Sequence, residues 1–341
     1  MKIAVLAGGL SPERDVSLTS GSLIAAALCE KGHRVCLVDI YLGVMGNMLP
    51  EERFTTTPPP RHTVGNDIPD LEKLRRESGN GDALIGQGVI DICRTADAVF
   101  IALHGAMGEN GQLQATLDNF GIKYTGSGYI GSLLAMDKDL SKQILCRAGV
   151  NTPEWIYFDT DKDSPDRIAK EIGYPCVIKP CSCGSSVGVS IVDDERDALR
   201  AIAEAAKFEK MILVEKKIVG RELTAAILGD EVLPPIEILP RAGFYDYKNK
   251  YQAGMTEEIC PAPLSDAVLR DLCAVTRRAF AALRLRGYAR FDYILDGDNR
   301  LWCLEANTLP GMTPTSLLPQ MAREAGISYA DLCEKIVRFE K

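Results

Sequence analysis

The chain has 341 residues, room for two or three domains of ordinary size. It is 46% hydrophobic and 25% charged, the usual mix for a globular protein. Its formal charge of −8 argues against a nucleic-acid-binding surface, and no apolar run reaches the eighteen residues that a membrane span needs. The eleven cysteines are scattered and include no pair of CxxC units at zinc spacing, which suits small core residues in a reducing cytoplasm. Three histidines are too few for a His-rich metal site. The apolar start, Met1 to Gly9, is too short for a signal-peptide core and runs into Pro12-Glu-Arg-Asp15 without a small-residue cleavage site. It reads as a first strand.

In chain order, strand Ile3–Leu6 leads through Gly8-Gly9 into a helix over roughly Ser17–Lys31, which Gly32 stops before strand Val35–Val38. That is a βαβ unit. From Leu42 to about Gly88 the prolines, glycines and mixed charges predict an irregular surface excursion with a short helix. Ala98–Leu103 and Ile122–Thr125 read as further buried strands, and Ser132–Ala148 as one helix ended by Gly149 and Pro153. A second region follows: strands Pro175–Lys179 and Val187–Val192, helix Glu195–Lys207 and strand Met211–Glu215. The third, from Leu223, holds several strands, a long helix Asp266–Leu283 and two closing helices.

Near the end, Tyr288-Ala-Arg-Phe-Asp-Tyr-Ile-Leu295 and Arg300-Leu-Trp-Cys-Leu-Glu-Ala-Asn307 flank Asp296-Gly-Asp-Asn299, the signature of a β-hairpin. Folding about that turn sets Asp292 opposite Glu305, give or take a residue, with Asn307 two positions on along the same face and Arg290 beside them. Hard oxygen ligands on rigid strands suit Mg²⁺. The plain alternative is a pair of solvated acids at a hairpin end, but these two stand among apolar residues, where an unpaired charge is costly.

Lys179-Pro-Cys-Ser-Cys-Gly-Ser-Ser-Val-Gly188 places a lysine at a strand end and small residues after it. Such a loop lets backbone N–H groups approach phosphate oxygens, with the lysine as a point charge. It is neither GxGxxG nor a Walker loop, and alone it could be only a turn. Met211-Ile-Leu-Val-Glu-Lys216 ends in a charged pair whose backbone could meet a base, or which simply emerges into solvent. Met136-Asp-Lys138 lies on the boundary helix, where a lysine is ordinarily a solvated face residue.

Together these stretches resemble the ATP-grasp carboxylate–amine ligases, and within them the D-alanine–D-alanine ligase family. The likeness runs in order through Leu6–Ser17, Leu103-His104-Gly105 with Gly108–Gln114, Met136-Asp-Lys138, Lys179-Pro180 with Gly184–Gly188, Tyr245–Tyr251, Arg290-Phe-Asp292 and Glu305–Thr313. It covers nearly the whole chain, and seven pieces in order are very specific. The resemblance implies an α/β fold, α+β in its ATP-binding part. It divides into an N-terminal parallel-sheet substrate domain (1–135), a central ATP-grasp domain (136–216) and a C-terminal ATP-grasp domain with metal and acceptor sites (217–341).

The implied reaction phosphorylates the carboxylate of a first D-alanine with ATP, after which the amine of a second displaces phosphate. Phosphoryl transfer asks mainly for positioning and charge neutralisation. By resemblance, Asp292, Glu305 and Asn307 hold two Mg²⁺ ions, with Mn²⁺ as the substitute. Lys138 and Lys179 contact phosphates under a loop that includes Gly184, Ser185 and Ser186. Glu215, Lys216 and Ile218 form the adenine linker, and Glu222 meets the ribose. Glu13 pairs with the first ammonium group, His104 shares that subsite, and Arg290 with the Gly311 N–H stabilises the tetrahedral oxyanion. Lys250 and Ser316 hold the second carboxylate. Tyr251 lies on a closing loop directed toward Glu13 and Ser185, which keeps water from the acyl phosphate.

Related ligases that use D-lactate lack the Lys-Tyr pair, so Lys250-Tyr251 favours an amine acceptor. D-Serine or D-lactate as acceptor, and a catalytically silent ATP-binding homologue, are the competing readings. Cys181, Cys183 and Thr315 depart from the residues common at their places. The resemblance further implies a cytoplasmic homodimer built on the N-terminal domain, with small-molecule substrates and neither nucleic-acid nor membrane partners.

Overall fold

The structure, a computed structural model, describes residues 1–44, 46–63, 69–184, 186–240 and 256–339. Among the described residues the strands fall into three sheets taken up one after another along the chain. The first is parallel, in the order β2-β1-β3, from β1 (Lys2–Ala7), β2 (Arg34–Asp39) and β3 (Ala98–Ile101). The continuous apolar run of β1 matches this arrangement, since a central parallel strand is covered on both faces. Helix Arg14–Glu30 crosses between β1 and β2 as the βαβ pattern predicts. Among its described residues the 42–88 excursion carries one turn of 3₁₀ helix, Pro50–Arg53, and one α-helix, Leu71–Ser78. Ile122–Thr125 is not a strand of its own. A single bridge, Val99 to Tyr124, ties it to β3.

The second sheet is antiparallel, in the order β4-β7-β5-β6, from β4 (Trp155–Asp159), β5 (Cys176–Pro180), β6 (Ser190–Val192) and β7 (Met211–Lys216). Here β6 starts at Ser190, three residues later than the apolar run suggests. The third sheet runs β11-β10-β8-β12-β13, from β8 (Gly220–Leu228), β10 (Ile236–Pro240), β11 (Thr256–Ile259), β12 (Tyr288–Asp296) and β13 (Leu301–Asn307). The short β9 (Glu231–Val232) pairs with β8.

The expected helix Ser132–Ala148 is two helices, Tyr129–Met136 and Lys138–Arg147, broken at Asp137. Asp137 leaves helical geometry (φ −79°, ψ 105°), and its carboxylate accepts the Leu140 N–H at 3.0 Å. An N-cap bond of this kind outweighs an apolar periodicity that runs through it. Lys138 therefore starts a helix rather than lying along one.

The closing helices, Leu317–Glu324 and Tyr329–Arg338, share one apolar core with the parallel sheet. Lys31 at the end of helix Arg14–Glu30 meets Asp331 at 2.5 Å. No helix among the described residues is long and apolar enough to cross a membrane.

Candidate active site

Two cavities adjoin the loop after β5. One, of about 240 Å³, is lined by residues of both antiparallel sheets and by Lys138. Lys179, Ser186, Glu215, Lys216, Ile218, Glu222, Asp292 and Glu305 all face it. The other, of about 310 Å³, lies past the C-terminal ends of β1 and β3, where parallel sheets commonly bind ligands. Glu13, His104 and Gly184 line it, and Cys183 lines both cavities.

The first cavity has a buried ionic floor. Glu215 does not emerge into solvent at the end of β7. Its side chain is 4% exposed and lies between two ammonium groups, Lys179 Nζ at 2.5 Å and Lys142 Nζ at 2.8 Å. Lys142 is itself fixed by Thr152 Oγ1 at 2.6 Å and the Pro153 carbonyl at 3.0 Å. Burial alone would raise the Glu215 pKa, but the two lysines outweigh it and hold the carboxyl below its ordinary value. Burial pushes Lys142 down, against the pull of Glu215. Lys179 thus reaches the cavity already anchored, with two amine side chains on one carboxylate.

The hairpin pairs Asp292 with Glu305 as the turn predicts. Between Asp292 and Tyr293 the register slips, leaving Leu304 as an extra residue on β13. This bulge turns both Leu304 and Glu305 toward the cavity, although strict alternation would separate them. Arg290 grips Asp292 in a fork, Nε to Oδ1 at 3.0 Å and Nη2 to Oδ2 at 2.9 Å, and Thr224 Oγ1 donates to Oδ1 at 2.7 Å. Arg290 is therefore bound to one of the carboxylates expected from the sequence to hold metal, whereas the sequence suggests a separate task for it. Glu305 stands 3.7 Å from Lys138 Nζ. Asn307 pairs with Arg290 across the hairpin, and its Oδ1 accepts the Leu309 N–H at 3.0 Å. The two carboxylates that line the cavity, Asp292 and Glu305, are of the oxygen type that suits a hard divalent cation, whereas Asn307 lines neither cavity. No cluster of three or more His, Cys, Asp or Glu side chains at metal spacing occurs among the described residues.

In the second cavity Glu13 occupies the N-cap position of helix Arg14–Glu30, yet its side chain does not cap that helix. The Gly8-Gly9 turn is pinned around it: Ser17 Oγ accepts from the Gly8 N–H at 2.9 Å and donates to the Ala102 carbonyl at 2.6 Å. The His104 pKa is lowered by burial, against the opposing influence of Glu13 and a backbone hydrogen bond to Leu309. Gly105 (φ +85°) follows, and a Cβ there would lie 2.7 Å from Ser11 Oγ and 3.6 Å from Glu13 Oε2, so only glycine brings the two signature segments together. Glu109 Oε2 accepts the Gly105 N–H at 2.8 Å. Burial, reinforced by Glu13, raises the Glu109 pKa to about 8, so this carboxyl holds a proton at neutral pH.

Gly311 and Ser316 line neither cavity but lie together, and a Cβ on Gly311 would be 2.7 Å from Ser316 Oγ. Ser316 Oγ also contacts Thr313 Oγ1 at 2.7 Å. Ser185, Lys250 and Tyr251 lie outside the described residues. Sequence reasoning missed Lys142, Thr224 and Glu109. Glu109 stands inside a recognised stretch, Gly108–Gln114, whereas Lys142 carries only its spacing of four from Lys138 as a clue.

Antiparallel sheets that contribute to one cavity, beside a parallel-sheet cavity that shares a wall with it, place the chain in the ATP-grasp class of ligase folds. Family models described as D-ala D-ala ligase N-terminus and D-ala D-ala ligase C-terminus match residues 2–127 and 144–338. The chain belongs to the D-alanine–D-alanine ligase family. It is 41% identical to the D-alanine–D-alanine ligase of Pediococcus pentosaceus over 99% of this chain and 97% of that one. With the Moorella thermoacetica ligase the identity is 38%, over 99% and 98%. Among solved structures, the Bacillus anthracis D-alanine–D-alanine ligase complexed with ATP aligns with a TM-score of 0.77 at 30% identity, covering 99% of this chain and 96% of that one. The VanG D-Ala:D-Ser ligase of Enterococcus faecalis aligns with a TM-score of 0.75 at 26% identity, covering 99% and 98%.

Proposed function

We propose that this chain joins two molecules of D-alanine into D-alanyl-D-alanine with ATP, by way of D-alanyl phosphate, for the synthesis of peptidoglycan precursors in the cytoplasm. The observation that carries this reading is the shared wall. The loop bearing Cys183 lies between a cavity lined by Lys179 and Glu215, with Lys142 behind them, and one that presents Glu13 and His104. A phosphoryl group and an amino-acid carboxylate would meet there.

In the first step a carboxylate oxygen of D-alanine attacks the terminal phosphorus of ATP, and ADP leaves. Lys138, Lys179, Gly184, Ser185 and Ser186 position the phosphates, the linker Glu215–Ile218 takes adenine, and Glu222 takes the ribose. Glu13 pairs with the donor ammonium, beside His104. Mg²⁺ held by Asp292, Glu305 and Asn307 would neutralise phosphate charge. In the second step the free amine of the other D-alanine, its carboxylate held by Lys250 and Ser316, attacks the acyl carbon. Arg290 and the Gly311 N–H would stabilise the oxyanion, and phosphate departs carrying the former carboxylate oxygen. Tyr251 belongs to the loop that excludes water. The domain division 1–135, 136–216 and 217–341 and a homodimer built on the first part complete the reading.

The test offers pure protein ATP, Mg²⁺ and D-alanine, alone or mixed with D-serine or D-lactate, and identifies products by mass. D-Alanyl-D-alanine should predominate. A main product ending in D-serine or D-lactate overturns the acceptor assignment, and absence of phosphate release from every mixture overturns the enzyme reading.

A further inference from the structure

The turn between helix Glu195–Ala205 and β7 has no role in the reaction as derived so far, yet it grips the loop that parts the two cavities. Glu209 Oε2 accepts the Cys181 N–H at 3.1 Å. The Ser182 N–H lies 3.0 Å from Oε1 and 3.1 Å from Oε2, Ser182 Oγ donates to Oε1 at 2.6 Å, and Cys183 Sγ stands 3.4 Å from Oε1. One carboxylate thus fastens three consecutive residues through charge-assisted bonds, roughly twice as strong as neutral ones. Its neighbour Phe208 meets the other end of the loop. A Cβ on Gly188 (φ +69°) would lie 2.8 Å from Pro180 and 3.1 Å from the Phe208 ring.

The fastened segment in turn fixes Lys138. The Cys181 carbonyl accepts the Lys138 N–H at 3.1 Å, and the Cys183 carbonyl accepts Lys138 Nζ at 2.8 Å. Lys138 Nζ lies 3.7 Å from Glu305. A continuous chain of contacts therefore runs from the outer turn, through residues 181–183, to a phosphate-facing lysine and a carboxylate of the proposed metal set. An acid that merely closed a surface loop would not lead into the site in this way.

We infer that Glu209 is a positioning residue for ATP: its carboxylate fixes residues 181–183, and through their carbonyls it holds Lys138 where the phosphates bind. The inference rests on the ligase reading above. Its carboxylate touches neither substrate nor reacting atoms, so its loss loosens a preorganised phosphate site rather than removing a chemical group.

The experiment compares wild type, Glu209→Gln and Glu209→Ala by steady-state kinetics with Mg²⁺, ATP and D-alanine. Alkylation of Cys183 by iodoacetamide is followed alongside by peptide mass mapping. Glu209→Ala should raise the KM for ATP about tenfold, with kcat within threefold and the KM for D-alanine within twofold. Glu209→Gln, which keeps one acceptor oxygen, should fall between. Cys183 should be alkylated faster in Glu209→Ala, because its thiol pKa, raised to about 11 by burial and then by Glu209, loses one of its causes. ATP should suppress that reaction.

An unchanged KM for ATP together with unchanged Cys183 labelling overturns the inference, as does a parallel rise of both KM values, which would mark a general structural defect. If Glu209→Ala does not fold, Ser182→Ala removes a single bond to the same carboxylate. A twofold or greater rise in the KM for ATP alone then supports the assignment, and no rise overturns it. Wild-type turnover separates this from the parent reading: no product from wild type sinks the ligase reading, whereas normal wild type with indifferent variants sinks only the role of Glu209.

Discussion

The two cavities handle buried charge in opposite ways. On the nucleotide side Glu215 is overcompensated, lying between Lys142 and Lys179, and its carboxyl is held ionised below its ordinary pKa. On the amino-acid side acids crowd one another, and Glu109, buried and close to Glu13, is pushed up to about 8. One side sets two amine side chains on one carboxylate. The other places a carboxyl with a raised pKa, Glu109, beside Glu13. Burial acts on both in the same direction, and the sign of the nearest charges decides the outcome.

The largest effect should come from the hairpin that lines the first cavity. Glu305→Gln is expected to lower kcat by roughly a hundredfold or more, the scale on which loss of a charge partner in the transition state acts, with the circular dichroism spectrum unchanged. Near-normal turnover would refute its place in the metal set. Next is the ionic floor. Lys142→Met leaves Glu215 with one partner and should destabilise the fold by about 3 kcal/mol, near the lower end for breaking a buried ion pair. It should appear as a lower urea midpoint with an unchanged m-value, and an unshifted midpoint would dismiss the floor as structurally idle.

The two carboxyls should then give pH dependences of opposite sign in protein free of nucleotide and metal. Because the folded-state pKa of Glu215 is depressed, its contribution is present above the unfolded value of 4.5 and is lost as pH falls through the folded value. Glu215→Gln should therefore flatten the acid limb of stability. The Glu109 pKa is raised, so both states are protonated below 4.5, stability declines as pH rises from there to about 8, and the decline stops above that. Glu109→Gln should lose less Tm than wild type between pH 5 and 8.5. Parallel curves for variant and wild type would contradict the protonated assignment. The smallest effect belongs to Tyr251→Phe, for which a few-fold loss in kcat/KM is expected. Unchanged kinetics would remove Tyr251 from the closing loop.

The hairpin was legible because its Asp-Gly turn and its alternation are both local signals, and together they set Asp292 opposite Glu305. The bulge at Leu304 was not, since nothing in the run from Arg300 to Asn307 marks where the ladder slips. Lys179 and Glu215 were each noticed as strand-end residues, but their contact joins neighbouring strands 36 positions apart, and Lys142 joins them from a helix. A lysine on a helix carries no mark of such a partner. The break at Asp137 was readable in principle from its capping residue, but an apolar period running through it pointed to one helix. The grip of Arg290 on Asp292 depends on a rotamer choice that a sequence of alternating faces leaves open.

The central claim is that ATP's terminal phosphate and a D-alanine carboxylate meet at the shared wall. It is tested most directly with D-alanine labelled with ¹⁸O in its carboxylate, by mass analysis of the released phosphate. Activation through D-alanyl phosphate moves one labelled oxygen into phosphate for each dipeptide formed. Product formation with unlabelled phosphate would contradict the account.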